Sequence, residues 1–265
     1  MKQLFAIVAI VLIIVSACGP SQPQLAVRKI ELAETLLASG DTIACLLHLD
    51  SIPYLYPKAI SEARTAIQIS NRINVSKLMQ QRENIAAANA VIDSLFTQFN
   101  PEKGEYDKKT YYTYNGPGSD KAGARTTLHV YLNETGVLFL TSSYYGGQWL
   151  NHTSVSVECE ATAAKTDSVS ADQMNNHRSE FGGSKWEKVT YRSPQADQVI
   201  ALVAKNYNKK MKVRFTGKSS HTIWLEDRDK NAIKAAYDLS RALKVKDASG
   251  KAIAVLEKKI KSEEE

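Results

Sequence analysis

The chain has 265 residues, of which 43% are apolar, 23% charged and 8% aromatic, with 13 glycines and 7 prolines. That is ordinary globular composition, and it excludes collagen-like, low-complexity and wholly disordered chains. Three cysteines are too few for a disulfide framework and too scattered for a zinc knuckle. The net charge of +6, from 34 basic against 28 acidic residues, permits a nucleic-acid partner without pointing to one, and none is expected.

The strongest signal lies at the N-terminus. Lys2 supplies a positive start, and residues 4–15 form an unbroken apolar run of twelve. A membrane-spanning helix needs about 20 apolar residues, so this run has instead the length of a signal-peptide core. It ends in Val15-Ser16-Ala17-Cys18, followed by Gly19 and Pro20. Small residues before a cysteine, directly behind such a run, resemble the lipobox of bacterial lipoproteins, with Val15 where leucine is usual. The resemblance implies that residues 1–17 are a signal peptide, that cleavage precedes Cys18, and that its sulfur is acylated. The plainer alternative is a secretory signal cleaved nearby, with Cys18 incidental. Residues 18–24 hold Pro20 and Pro23 and no charge, and read as a tether. No acidic cluster follows Cys18. The expected location is therefore the cell envelope, lipid-anchored to the outer membrane on its periplasmic face.

Residues 25–100 read as helical. Val27, Ile30, Ala33, Leu36 and Leu37 recur at three- and four-residue steps until Gly40. Asp41 is placed to cap a second helix carrying Ile43, Ala44, Leu47 and Ile52, which Pro53 and Pro57 end. Residues 33–57 resemble one tetratricopeptide-like hairpin. Since solenoids need about three repeats, a helical hairpin packed on the next helix is expected instead. That next helix covers residues 58–98, with Leu78, Ile85, Ala88, Ile92, Leu95 and Phe99 as a coiled-coil-like seam. Asn71, Asn74 and Gln81 interrupt the seam upstream. Asn100-Pro101 closes the helix, and residues 101–109 read as a charged linker.

The hydrophobic period then changes from 3.6 to 2. Residues 111–114, 127–132, 137–142, 155–159, 188–191, 211–215 and 222–225 read as strands, with turns at 133–136 and 217–220. Helices are expected at 196–207 and 229–243. The fold class is α+β: a helical hairpin and long helix, then a mainly antiparallel β domain with two helices over residues 106–245. Residues 160–183 read as one long loop, and 246–265 as a charged terminal helix or tail.

Leu138-Phe139-Leu140, Gly147-Gln148-Trp149-Leu150, Lys185-Trp186-Glu187 and Val213-Arg214-Phe215-Thr216-Gly217-Lys218 occur in that order around two helices. Residues 110–243 thereby resemble a domain of uncharacterised function found near the C-termini of many bacterial secreted proteins and lipoproteins. The resemblance implies a small sheet packed with helices and no catalytic residues.

Little in the chain has the spacing of an active site. His48, His129, His152, His177 and His221 lie too far apart to pair within one helical turn, so no metal or other cofactor is expected. His177, Glu180 and Asp172 share the 160–183 segment, which makes a periplasmic hydrolase with its site there the alternative function. Cys45 and Cys159 read as small buried hydrophobes, with a bond between them left open. Two surfaces have ligand chemistry. Tyr111, Tyr112, Tyr114, Tyr144, Tyr145 and Trp149 suit either sugar stacking or sheet packing. Lys210, Lys212 and Arg214 alternate with Met211, Val213 and Phe215, so they project from one face of a strand. That face is either the charge-protected edge of a sheet or a site for anionic lipid, acidic glycan or an acidic envelope protein. The expected role is a membrane-anchored, non-catalytic binding or scaffolding module.

Overall fold

A computed structural model describes residues 19–105, 108–116 and 125–264. It is α+β, with five helices and two antiparallel sheets among the described residues, and it divides into two compact units. The first comprises residues up to Arg82 together with those from Ala252 onward; the second runs from Glu83 to Lys251. These bounds differ from the change of hydrophobic period near Asn100. No described helix is long and apolar enough to cross a membrane.

In the first unit, helix α1 (Gln22–Ala38) begins where the Ser21 N–H donates to Gln24 Oε1 at 2.9 Å. It ends at Gly40, whose φ of 88° is the left-handed geometry that only glycine adopts cheaply. Asp41 Oδ1 accepts from the Ala44 N–H and starts helix α2 (Thr42–Leu55). Pro53 lies inside the last turn of α2, so Pro57 rather than Pro53 marks its end. The buried faces are Ala26, Ile30 and Ala33 on α1 and Cys45, Leu49 and Ile52 on α2, packed with Ala66, Ile69 and Ile73 of helix α3 (Ile60–Phe96). Ile43 and Leu47, expected inside, are 74% and 67% exposed. Helix α2 is apolar on nearly every side, so spacing alone does not select the face that packs.

Residues 246–264 are not a separate tail. They complete helix α5 (Asp227–Glu264), which follows helix α4 (Asp197–Lys205) in the chain. Within the first unit the end of α5 is held by Arg82–Glu257 at 3.0 Å and Lys259–Asp50 at 2.9 Å. These pairs are exposed, and each contributes at most about 1 kcal/mol.

The second unit contains two sheets. Strands β1 (Phe99–Glu102), β2 (Tyr111–Tyr114), β3 (Thr127–Asn133), β4 (Leu138–Gly146), β7 (Asn176–Phe181) and β8 (Ser184–Arg192) form a sheet in the order β1-β2-β3-β4-β8-β7. Strands β5 (Ser154–Cys159), β6 (Thr162–Lys165), β9 (Lys212–Thr216) and β10 (Ser220–Trp224) form the other in the order β10-β9-β5-β6. The linker expected at 101–109 thus starts as an edge strand, where Pro101 lacks only an outward N–H. The loop expected at 160–183 contains two strands, β6 and β7, both at sheet edges. Most of their side chains are exposed, so they show no apolar alternation and only backbone pairing identifies them. Gly182 and Gly183, with φ of 58° and 81°, make the tight turn between β7 and β8.

Alternation drives one core. Leu128, Val130, Leu132, Leu138, Leu140, Val189 and Tyr191 from the larger sheet join Val155, Val157, Val213 and Phe215 from the smaller. Val199, Ile200 and Val203 of α4, Ile233, Ala236 and Leu239 of α5, and Ala88 and Ile92 of α3 complete it.

Candidate functional site

The residue that organises the second unit is Glu187. On β8 it lies between the outward Trp186 and Lys188, so the period of two turns its carboxylate into the core. Residues 147–153, which follow β4, fold over it. The Leu150 and Asn151 N–H groups each donate to Glu187 Oε1 at 2.7 Å, and the His152 N–H donates to Oε2 at 2.8 Å. His152 Nδ1 lies 2.7 Å from the same oxygen and donates to it, since a carboxylate only accepts. His152 Nε2 is hydrogen-bonded to the Ser142 hydroxyl at 2.8 Å, and Ser142 Oγ is 3.3 Å from the Tyr191 hydroxyl. Burial works against the charged carboxylate. The hydrogen bonds from His152 and from the backbone of residues 151 and 152 outweigh that cost and hold Glu187 below its ordinary range. Burial pushes the Tyr191 hydroxyl up to about 12.

Ser142, His152 and Glu187 have the connectivity of a Ser–His–carboxylate triad. Both side chains of the His152–Glu187 pair are 0% exposed, and Ser142 is also 0% exposed. A nucleophile needs room for a carbonyl carbon, and this hydroxyl is enclosed by its own fold. Its chemistry is that of a lock: an ionised acid satisfies three N–H groups and an imidazole that the chain would otherwise bury unpaired. Asn151, with φ of 53°, bends the backbone to make this possible.

Gly217 explains part of the Arg214-Phe215-Thr216-Gly217-Lys218 element. A Cβ at this position would lie 2.3 Å from the Asn151 carbonyl oxygen and 2.6 Å from His152 Cα. Gly217→Ala will therefore push the 147–153 segment off Glu187. We expect a loss of about 1–3 kcal/mol in denaturant unfolding, and a wild-type midpoint in that variant would show that the segment yields freely.

The sequence-predicted residues are distributed as follows. Cys18 lies outside the described residues. His177 and Glu180 are on β7 but three positions apart, so they face opposite sides of the sheet, and Glu180 is ion-paired with Lys185. The acid–base pair suggested for 160–183 is not assembled. Cys45 and Cys159 are both free and buried, and lie in different units. Among the described residues no cluster of three or more His, Cys, Asp or Glu is arranged for a metal ion. The aromatic group is divided between faces: Tyr112, Tyr114 and Tyr144 pack on the core, while Tyr111 and Tyr145 lie on the opposite side with Tyr131, Phe139 and Trp186.

Lys212 and Arg214 project from the solvent side of β9, as the alternation predicts, while Met211, Val213 and Phe215 are fully buried. Lys210 precedes the strand and is exposed. Strand β9 is not an edge: it pairs with β10 on one side and β5 on the other, so charge protection of an edge does not explain its cations. Arg214 stands between Ser156 and Thr222, and Lys212 between Glu158 and Trp224. Lys165 on β6 extends the row of Arg214. Lys212 Nζ lies 5.5 Å from the Trp224 ring centroid, and Trp224 is 63% exposed. Nothing in the local pattern marks Trp224, because its neighbour across the sheet is twelve residues away in the chain.

No family model, curated protein or solved structure matches this chain.

Proposed function

We propose that the protein is a lipoprotein of the bacterial cell envelope, anchored through acylated Cys18 to the periplasmic face of the outer membrane. Its sheet unit acts as a non-catalytic binding module that meets an anionic membrane surface. The observation that carries this reading is the face of β9: Lys212 and Arg214 side by side on a strand interior to its sheet, next to the exposed indole of Trp224. Tryptophan favours the boundary between headgroups and water, and each cation near an anionic surface adds about 1 kcal/mol. An acyl chain and a basic patch together anchor far better than either does alone.

The test uses vesicles of anionic phospholipid and the chain without residues 1–17 carrying Cys18→Ala, which has no acyl anchor. Binding should weaken as salt rises, because exposed charges are screened beyond about 8 Å at physiological ionic strength. Changing Lys210, Lys212 and Arg214 together to Gln should weaken it by about 3 kcal/mol, roughly a hundredfold, with the melting temperature nearly unchanged. Binding of this unacylated chain that ignores salt, or a triple variant of it that binds equally well, would overturn this role for the face.

A further inference from the structure

We infer that the solvent face of the six-stranded sheet carries a second, separate site, which takes an acidic sugar. A cavity of about 300 Å³ opens on this face and is lined in part by His129, Ser143, His177, Ser179, Trp186 and Lys188. That volume is at the small end of the range for ligand pockets, enough for a single ring rather than a polymer.

The register explains why these side chains converge. Lys188 on β8 is directly opposite Ser143 on β4 and His177 on β7, so the three form one row across the sheet. Trp186 and Ser179 are opposite each other one row further along, and His129 on β3 lies one row the other way. Directly paired residues have Cβ atoms about 5 Å apart, so all six reach one small volume.

The charge on this face is one-sided. By alternation, β3, β4, β7 and β8 turn no Asp or Glu toward it. Glu187 also borders the cavity, but both of its oxygens are engaged by the backbone of residues 150–152 and by His152. Arg125 at the rim is held by Asp229 at 2.8 and 2.6 Å, so it serves as wall more than as ligand. Lys188 makes no ion pair among the described residues. An anion entering the cavity therefore meets the Lys188 ammonium and two imidazoles, while the nearby carboxylates of Glu187 and Asp229 are engaged by the backbone and His152 and by Arg125 and Thr127.

The rest of the lining selects what carries the anion. Trp186 is 37% exposed and stands edge-on to Tyr145, with centroids 4.8 Å apart, so its ring is fixed beside the cations. An indole wall with hydroxyls and imidazoles around one cation complements a ring that has an apolar face, several hydroxyls and one negative group. A uronic acid and a sugar phosphate share that chemistry.

Calorimetry and saturation-transfer NMR on the full chain, with glucuronate, glucose 6-phosphate, glucose, inorganic phosphate and adenosine monophosphate, will test the site. At least one of the two acidic sugars should bind about tenfold or more tighter than glucose and than inorganic phosphate, and the better of them indicates which anion source the site prefers. Lys188→Gln and Trp186→Ala should each weaken that binding by about tenfold. Lys188 is exposed, so its variant should melt like wild type and keep the result interpretable even if the tryptophan variant is unstable. Equal binding of glucose, equal binding of inorganic phosphate, tighter binding of adenosine monophosphate, no binding of either acidic sugar, or an unaffected Lys188→Gln variant would each overturn the proposal.

Discussion

Glu187→Ala will destabilise the sheet unit by about 3–5 kcal/mol, because it removes the buried acceptor shared by three backbone N–H groups and the His152 imidazole. Three backbone N–H groups and the His152 imidazole lose their partner at once, and each unpaired buried group costs about 1–3 kcal/mol. Partial collapse of the 147–153 segment and entry of water keep the total below the sum. Against a typical stability of about 5–15 kcal/mol this is a large fraction, and the melting temperature should fall by about 10 °C or more. Glu187→Gln keeps the shape but replaces one acceptor oxygen with a donor, so an intermediate loss is expected. The pH dependence has a definite sign. The folded-state pKa is depressed, so the stabilisation is fully present above the ordinary carboxylate value of about 4.3 and is lost as pH falls through the lower folded value. Melting curves from pH 7 to pH 3 should show an acid limb in wild type that Glu187→Gln lacks. A drop of less than about 3 °C in the alanine variant at pH 7 would mean that the network contributes little.

Cys18→Ala should release the protein from the membrane and leave a precursor larger by the uncleaved signal peptide. More than one acyl chain gives stable anchoring where a single chain is reversible, so loss of the modified cysteine changes partition almost completely. The basic face of β9 makes a second part of this prediction possible. At low salt the variant should retain some attachment to anionic membranes, and high salt should strip it, whereas wild type should stay bound under both conditions. Unchanged size and unchanged detergent partition in Cys18→Ala would rule out lipidation. A variant lost to solution at every salt concentration would uphold the anchor and remove the membrane role from Lys212 and Arg214.

Much of the fold is legible because burial leaves a periodic trace. Residues 127–132 and 155–159 alternate strictly, and each run lies in a strand. The spacing of Ala88 and Ile92 likewise marks the face of α3 that joins the core. Two kinds of element leave no such trace. The edge strands β6 and β7 expose most of their side chains, so nothing forces alternation on them. Helix α2 is apolar almost all round, so its buried face is decided by what it packs against. The C-terminal end of α5 has only a weak stripe, and its ion pairs are with Arg82 and Asp50, which are distant in sequence.

The sites divide in the same way. The outward projection of Lys212 and Arg214 follows from strand periodicity and needs no partner strand. Whether their strand lay at an edge or inside a sheet depended on β5 and β10, which approach from both sides through long-range pairing. His152 and Glu187 are separated by 35 residues, and although Glu187 belongs to the Lys185-Trp186-Glu187 element, nothing in the local pattern pairs it with His152. The hydrogen bonds of 2.7 and 2.8 Å between them arise only after the strands and a turn at Asn151 are in place. Composition, period and the twelve-residue apolar run determined the class of fold, the change from helices to strands along the chain and the expected address. Tertiary structure alone decided that His152 was locked away, that Trp224 faced solvent and that Lys188 had no ion pair among the described residues, because those properties belong to neighbours that only folding brings together.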